Sequence, residues 1–236
     1  MPLPTVKTPT YVMTIPSTKE EVKFRPFLVK EEKALLIAQQ SEDEKTMIST
    51  LKDVIRACTL EKLDVDKLAV FDIEYIFSQL RAKSVGEVVE LVMRCRHCED
   101  EKNKTVIAID LSKIDVKFHE GHKDTIMISD TIGMKMKYPG LPILTKMENA
   151  ADDPKAMFDI IVSCIDSIFD EDEVYHASEQ SREELTQFID NLTQVQFEEV
   201  QKFFSTMPTF EKELNYTCPA CGADNTEVVR GLNNFF

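Results

Sequence analysis

Two short cysteine pairs place the strongest constraint on how this chain folds. Cys95-Arg96-His97-Cys98 and Cys218-Pro219-Ala220-Cys221-Gly222 are separated by 119 residues, whereas the two halves of a metal-binding ribbon usually lie about 15–20 residues apart. Each pair follows a segment of strand character, ending near Met93 and Tyr216, and each can aim two sulfurs at one point from a tight turn. Gly222 stands where the second turn calls for a positive φ. Together Cys95, Cys98, Cys218 and Cys221 supply the four soft ligands of a structural zinc ion, with no ligand position left for water or substrate. A shared ion would join the start of a central sheet to the end of the chain and close a long loop. Four reduced structural thiols, or a redox or two-site arrangement, are the competing readings. Neither pair has the βαβ context of a thioredoxin-like motif. His97 reads as a solvent-facing turn residue rather than an alternative ligand.

That reading supposes a reducing compartment, where paired cysteines more often hold metal than form disulfides. The N-terminus, Met1-Pro-Leu-Pro-Thr-Val-Lys, lacks a basic segment followed by an apolar stretch, so no secretory signal is expected. No run of about 18 apolar residues is present, so no membrane span is expected. The charge balance, 28 Lys+Arg against 42 Asp+Glu for a net −14, repels phosphate backbones and anionic headgroups. Nucleic acid and membrane are therefore disfavoured partners. Cys58 and Cys164 stand alone in apolar, helix-like contexts and read as buried, inert thiols.

Along the chain, five prolines between Pro2 and Pro26 surround an alternating segment, Thr10 to Ile15, which predicts an extended arm over residues 1–26. A single α+β domain is expected over 27–236. Helical periodicity predicts helices over about 28–39, 42–58 (from Ser41, with Glu44 at capping-box spacing), 65–70 and 71–82, so that 27–84 is helical. Residues 85–140 carry several β-branched, alternating runs and predict one small antiparallel sheet holding the first cysteine pair. Pro139-Gly140-Leu141-Pro142 ends it. Helices return over 141–210, at about 154–169, 182–191 (Ser181-x-x-Glu184) and 194–206 (Thr193-x-x-Gln196). Residues 211–236 carry the second pair and a tail. The expected fold is thus helices flanking a small antiparallel sheet, with a zinc-ribbon-like four-cysteine element joining that sheet to the C-terminus.

Catalytic motifs are wanting. His119-Glu120-Gly121-His122 lacks the spacing that would set two imidazoles on one helix face, and reads as a surface loop. Asp170-Glu171-Asp172-Glu173 lacks the central Gly and terminal Glu of a calcium loop, and reads as a solvated connector between helices. No phosphate-binding glycine loop or nucleophile elbow is present, and neither an enzyme nor a small-molecule substrate is expected. Arg94, Arg96, Lys102 and Lys104 beside the first pair prompt the competing reading, a zinc-ribbon nucleic-acid-binding or transcription factor.

Phe24-Arg25-Pro26-Phe27-Leu28-Val29-Lys30, with its Arg-x-Phe-Leu-Val core, resembles a hallmark of the T4-type bacteriophage baseplate hub assembly family. The resemblance continues through Asp72 to Phe77, Leu80 to Ser84, the two cysteine pairs, Asn191-Leu192-Thr193, Phe203 to Pro208, and the closing Gly231-Leu232 and Phe235-Phe236. It implies a late viral protein made in the host bacterial cytoplasm. It implies too that the chain binds other hub and tail proteins, as chaperone or as subunit of the virion tail baseplate. Both ends of the chain read as partner-contact segments by residue type, the proline-punctuated arm with Arg25, Phe27, Leu28 and Val29 at one end and the apolar tail with Leu232, Phe235 and Phe236 at the other. Arg25 either anchors a partner's carboxylate or fixes the arm to its own helix layer. The two terminal phenylalanines either plug the chain's own core or insert into a partner.

Overall fold

The computed structural model describes residues 6–41, 43–98, 103–143 and 153–231. In chain order its elements are strands β1 (Tyr11–Thr14) and β2 (Glu21–Phe24), helices α1 (Val29–Gln40), α2 (Glu44–Cys58) and α3 (Val70–Ser84), and strands β3 (Val88–Arg94), β4 (Lys104–Asp110), β5 (Val116–Lys117), β6 (Thr125–Met127) and β7 (Gly133–Met136). Helix α4 (Pro154–Ser163), strands β8 (Ile165–Phe169) and β9 (Val174–His176), helices α5 (Arg182–Asp190) and α6 (Gln194–Thr206), and strands β10 (Thr209–Thr217) and β11 (Asp224–Arg230) complete the series. Two compact units emerge, one from residues 1–117 with 209–236, the other from 118–208.

In the first unit β1 and β2 form an antiparallel hairpin, with Met13 opposite Val22. Alternation does its ordinary work here: Met13, Ile15, Val22 and Phe24 point inward and are buried. Asp43, rather than Ser41, caps α2, its carboxylate accepting the Thr46 N–H, while Ser41 closes α1. The stretch expected as a helix over 65–70 is a short 3₁₀ turn, Val65–Lys67. Helix α3 is covered around much of its girth and buries Phe71, Ile73, Ile76, Phe77 and Leu80, with the polar Asp72 and Ser78 buried beside them. Strands β3 and β4 pair with each other, with Val92 opposite Val106, and β11, β10 and β5 form a second antiparallel sheet in that order. One core joins them, built on Ala82, Val89, Ile109, Leu111, Phe210 and Val229.

The second unit is a four-stranded antiparallel sheet in the order β6-β7-β8-β9, with α4, α5 and α6 contributing to its core. Glu184 and Gln196 complete capping boxes with Ser181 and Thr193, so both helices start where the sequence predicts. Helix α4 does not run to 169. It ends at Ser163, and β8 begins two residues on, paired on both sides. Phe158, Ile161, Ile165 and Ile168 fit helical spacing, but an apolar run that becomes a central strand can satisfy both periods. The acidic run after it turns between two strands rather than two helices: the Asp170 carboxylate accepts the N–H groups of Asp172 and Glu173.

Helices and antiparallel sheets are thus mixed as expected, but the strands between 85 and 140 serve three sheets instead of one. Strand β5 pairs with β10 and β7 with β8, partners that lie far along the chain from them and carry no local signal.

Candidate metal centre

Both cysteine pairs sit at turns between paired antiparallel strands in the first unit, the first just beyond β3 and the second between β10 and β11. The Cys95 N–H donates to the Asn103 carbonyl, and the Asn103 side chain donates to the Cys98 carbonyl, which closes the first turn. In the second turn the Cys218 N–H donates to Ala223 and the Gly222 N–H to Cys218, both at 2.9 Å. Gly222 has φ +73, the left-handed geometry expected there.

The four sulfurs converge. Cys95 Sγ lies 3.8 Å from Cys221 Sγ, Cys98 Sγ lies 3.8 Å from Cys218 Sγ, and all four fall within 4.8 Å of one another. A tetrahedron with zinc–sulfur bonds of about 2.3 Å has edges of about 3.8 Å. A disulfide would need about 2.05 Å. The donor set and its spacing therefore fit one tetrahedral, thiolate-preferring ion. Cys95 and Cys218 are buried, Cys98 is half-buried and Cys221 is exposed.

Burial works to raise the Cys95 thiol, but hydrogen bonds from the His97 N–H at 3.3 Å, the Asn225 amide at 3.5 Å and the neighbouring Cys218 and Cys221 thiols together overcome it and bring it down to about 6. His97 is exposed, and its backbone rather than its imidazole serves the cluster. The two thiols outside the cluster behave oppositely: burial pushes Cys58 up to about 11 and Cys164 up to about 12. They are structural.

Asn225 is the residue the sequence did not announce. Buried in β11 opposite Tyr216, it contacts both cysteine turns, while Tyr216 OH donates to the Arg94 carbonyl at 2.8 Å. The one available signal is an asparagine, a poor strand former, at a strand position just beyond a metal-binding turn. Of the basic residues near the first pair, Arg96 is bound to Glu227 at 2.9 Å, and Lys102 lies outside the described residues.

The partner-contact candidates fall in different settings. Arg25 donates to Glu31 at 2.8 Å and to the Pro26 carbonyl, and its backbone N–H bonds to Cys58, so the guanidinium is held within its own helix layer. Phe27 is half-buried, and its N–H donates to Ser84 Oγ. Leu28, which precedes α1, and Val29, its first residue, are exposed, at 40% and 79%, and Leu36 and Ile37 of α1 are exposed as well. Leu232, Phe235 and Phe236 lie outside the described residues. His122, by contrast, is fixed in the second unit between Tyr138 OH and Thr206 Oγ1, each 3.0 Å from a ring nitrogen.

These features define a mixed α+β protein in which the chain's late residues return to its first half at a four-cysteine cluster. By its sequence the chain belongs to the T4 bacteriophage base plate protein family, whose model matches residues 8–236. No curated protein and no solved structure matches it. Among the described residues no helix is long and apolar enough to cross a membrane.

Proposed function

We propose that this baseplate protein acts in assembly of the baseplate hub without catalysing a reaction, by binding other tail proteins. It works in the host cytoplasm while the hub is built, as chaperone or as a subunit that stays in the virion. Family membership across nearly the whole chain is the observation that carries this reading. Two features support it. The four cysteines hold one zinc ion as a closed, structural staple, because every tetrahedral position is taken by a protein sulfur. Leu28, Val29, Leu36 and Ile37 leave apolar surface on and beside α1 for a partner to cover.

The role is tested by infection with phage unable to make this chain. Tails should stall before the hub is complete, and supplying the chain from a plasmid should restore them. Normal hubs without the chain would overturn the assembly role. Elemental analysis of the protein purified without chelator should give one zinc per chain. Absence of bound metal would return the cysteines to the reading of four reduced structural thiols.

A further inference from the structure

The geometry points to Asn225 as the residue that positions the two cysteine turns against each other and sets the affinity of the cluster for a thiolate-preferring divalent ion. This rests on the metal reading above and adds to it a non-ligand residue on which binding depends.

Every polar atom of the Asn225 side chain is engaged. Its Oδ1 accepts the Arg96 N–H at 3.3 Å, and its Nδ2 donates to Cys95 Sγ at 3.5 Å and to the Ala223 carbonyl at 2.9 Å. The partners dictate the orientation of the amide: Arg96 offers only a donor and Ala223 only an acceptor, so a flipped carboxamide would oppose both. The side chain is 6% exposed, where an unmet amide would be costly. One residue of β11 therefore reaches Cys95 and Arg96 in the first turn and Ala223 in the second.

This matters because 119 residues separate the two pairs. Bringing four thiolates together from an open chain costs loop-closure entropy. Asn225 and the Tyr216–Arg94 hydrogen bond meet that cost with neutral contacts, so the ion enters turns already facing each other. Asn225 also acts on the ligand itself. Four thiolates around a divalent cation carry a net charge of about −2, and N–H groups aimed at sulfur disperse it. The Asn225 amide and the His97 N–H converge on one sulfur, that of Cys95. Partners of this kind around a metal site typically change affinity about 10- to 100-fold.

The test uses the full chain, reduced and stripped of metal, titrated with Co²⁺ and then with Zn²⁺ against a chromophoric chelator. Asn225→Asp keeps the size and the acceptor facing Arg96, but turns an acceptor toward Cys95 Sγ and Ala223. Asn225→Ser retains a small polar group and loses the reach. Both should weaken Zn²⁺ binding about 10- to 100-fold, Asp more than Ser, and both should shift the thiolate-to-Co²⁺ charge-transfer band, which follows the electron density on sulfur. Glu227→Gln, which removes only the charge from the pair with Arg96 and keeps an acceptor there, should leave affinity and spectrum unchanged. If the unaltered chain binds Co²⁺ as a tetrathiolate and the Asn225 variants match it in affinity and spectrum, the inference is overturned while the metal site stands. If the unaltered chain binds no Co²⁺ or Zn²⁺, the metal reading fails and this inference falls with it. If both Asn225 variants are unfolded even when loaded with metal, Asn225 is a core residue and the positioning role is likewise overturned.

Discussion

The two units of this chain solve the problem of closure differently. The first is assembled from two stretches, 1–117 and 209–236, and holds the cysteine cluster. The second is one continuous stretch, 118–208, whose helices α4, α5 and α6 are each opened by a side-chain cap, from Asp153, Ser181 and Thr193. Charge is divided as unevenly: the first unit carries 21 Lys+Arg against 24 Asp+Glu and the second 7 against 18, so −11 of the net −14 resides in the smaller unit. The second unit's stability must therefore outweigh its own charge repulsion through burial and local hydrogen bonds. The first, nearly neutral, must instead hold together segments remote in sequence. Local connectivity permits local devices; remote connectivity calls for a tie.

The sharpest way to break this comparison is to remove the tie. Cys95→Ser or Cys218→Ser should abolish metal binding and lower the stability of the first unit by an amount on the order of 5 kcal/mol. Hydrogen exchange should show lost protection in β10 and β11 with α6 unchanged. Equal loss in both units would show one cooperative domain, the organisation expected from the sequence, and the contrast would collapse. The converse experiment is Phe203→Ala in α6. Phe203 is 2% exposed and packs against the rings of His122, Tyr138 and Phe204 at centroid distances of 5.2, 5.6 and 5.1 Å. Its loss should cost about 3–5 kcal/mol, read by denaturant unfolding, and leave zinc affinity unchanged.

The same contrast explains what could be read without a structure. Ser181-x-x-Glu184 and Thr193-x-x-Gln196 announce α5 and α6 because a capping box is complete within four residues. The cysteine quartet is legible because few other patterns present four thiols in two tight turns. Strand β8 is not, since Ile161, Ile165 and Ile168 satisfy the helical period and only its neighbours β7 and β9 make Ile165–Phe169 a strand. Strand β11 is missed for a related reason: it opens on Asp224-Asn225, two poor strand formers, and is held extended by β10 and by Asn225's contacts with the cysteine turns. Pairing between remote segments leaves no mark on either one alone.

A smaller effect sharpens the account of the first unit. Glu31 is buried, which favours its protonated form, yet the Arg25 guanidinium and the Leu28 N–H hold its carboxyl below the ordinary value near 4.5. The stability contributed by this lowered pKa is complete above the unfolded-state value and is lost as the pH falls through the folded-state one. Arg25→Met should cost about 3 kcal/mol at neutral pH, because it strands a buried carboxylate. It should also weaken or invert the trend: with only the Leu28 N–H and Lys30 left to oppose burial, the Glu31 pKa rises, and the variant gains stability relative to the parent as the solution is acidified. Urea midpoints between pH 7 and 4 measure this. Parallel pH profiles for the two proteins would remove the pair from the account.

The smallest predicted effect compares the caps of the two units. In the second unit the cap of α6 is neutral: Thr193 Oγ1 accepts the Gln196 N–H, and the Gln196 side chain accepts the Thr193 N–H while donating to the Ile128 carbonyl. Thr193→Ala should cost about 1 kcal/mol, by the same amount at pH 7 and pH 4, since no proton is exchanged. In the first unit α2 is capped by a carboxylate, whose hydrogen bonds from the Thr46 hydroxyl and N–H hold Asp43 below its usual range. That cap stabilises the helix above the ordinary aspartate value and weakens as the pH falls through the lowered one. Asp43→Asn keeps an acceptor oxygen and no titration, so parent and variant should converge on acidification. A Thr193→Ala penalty that changed with pH would show that the second unit's acidic surface, rather than its cap, governs how its helices begin.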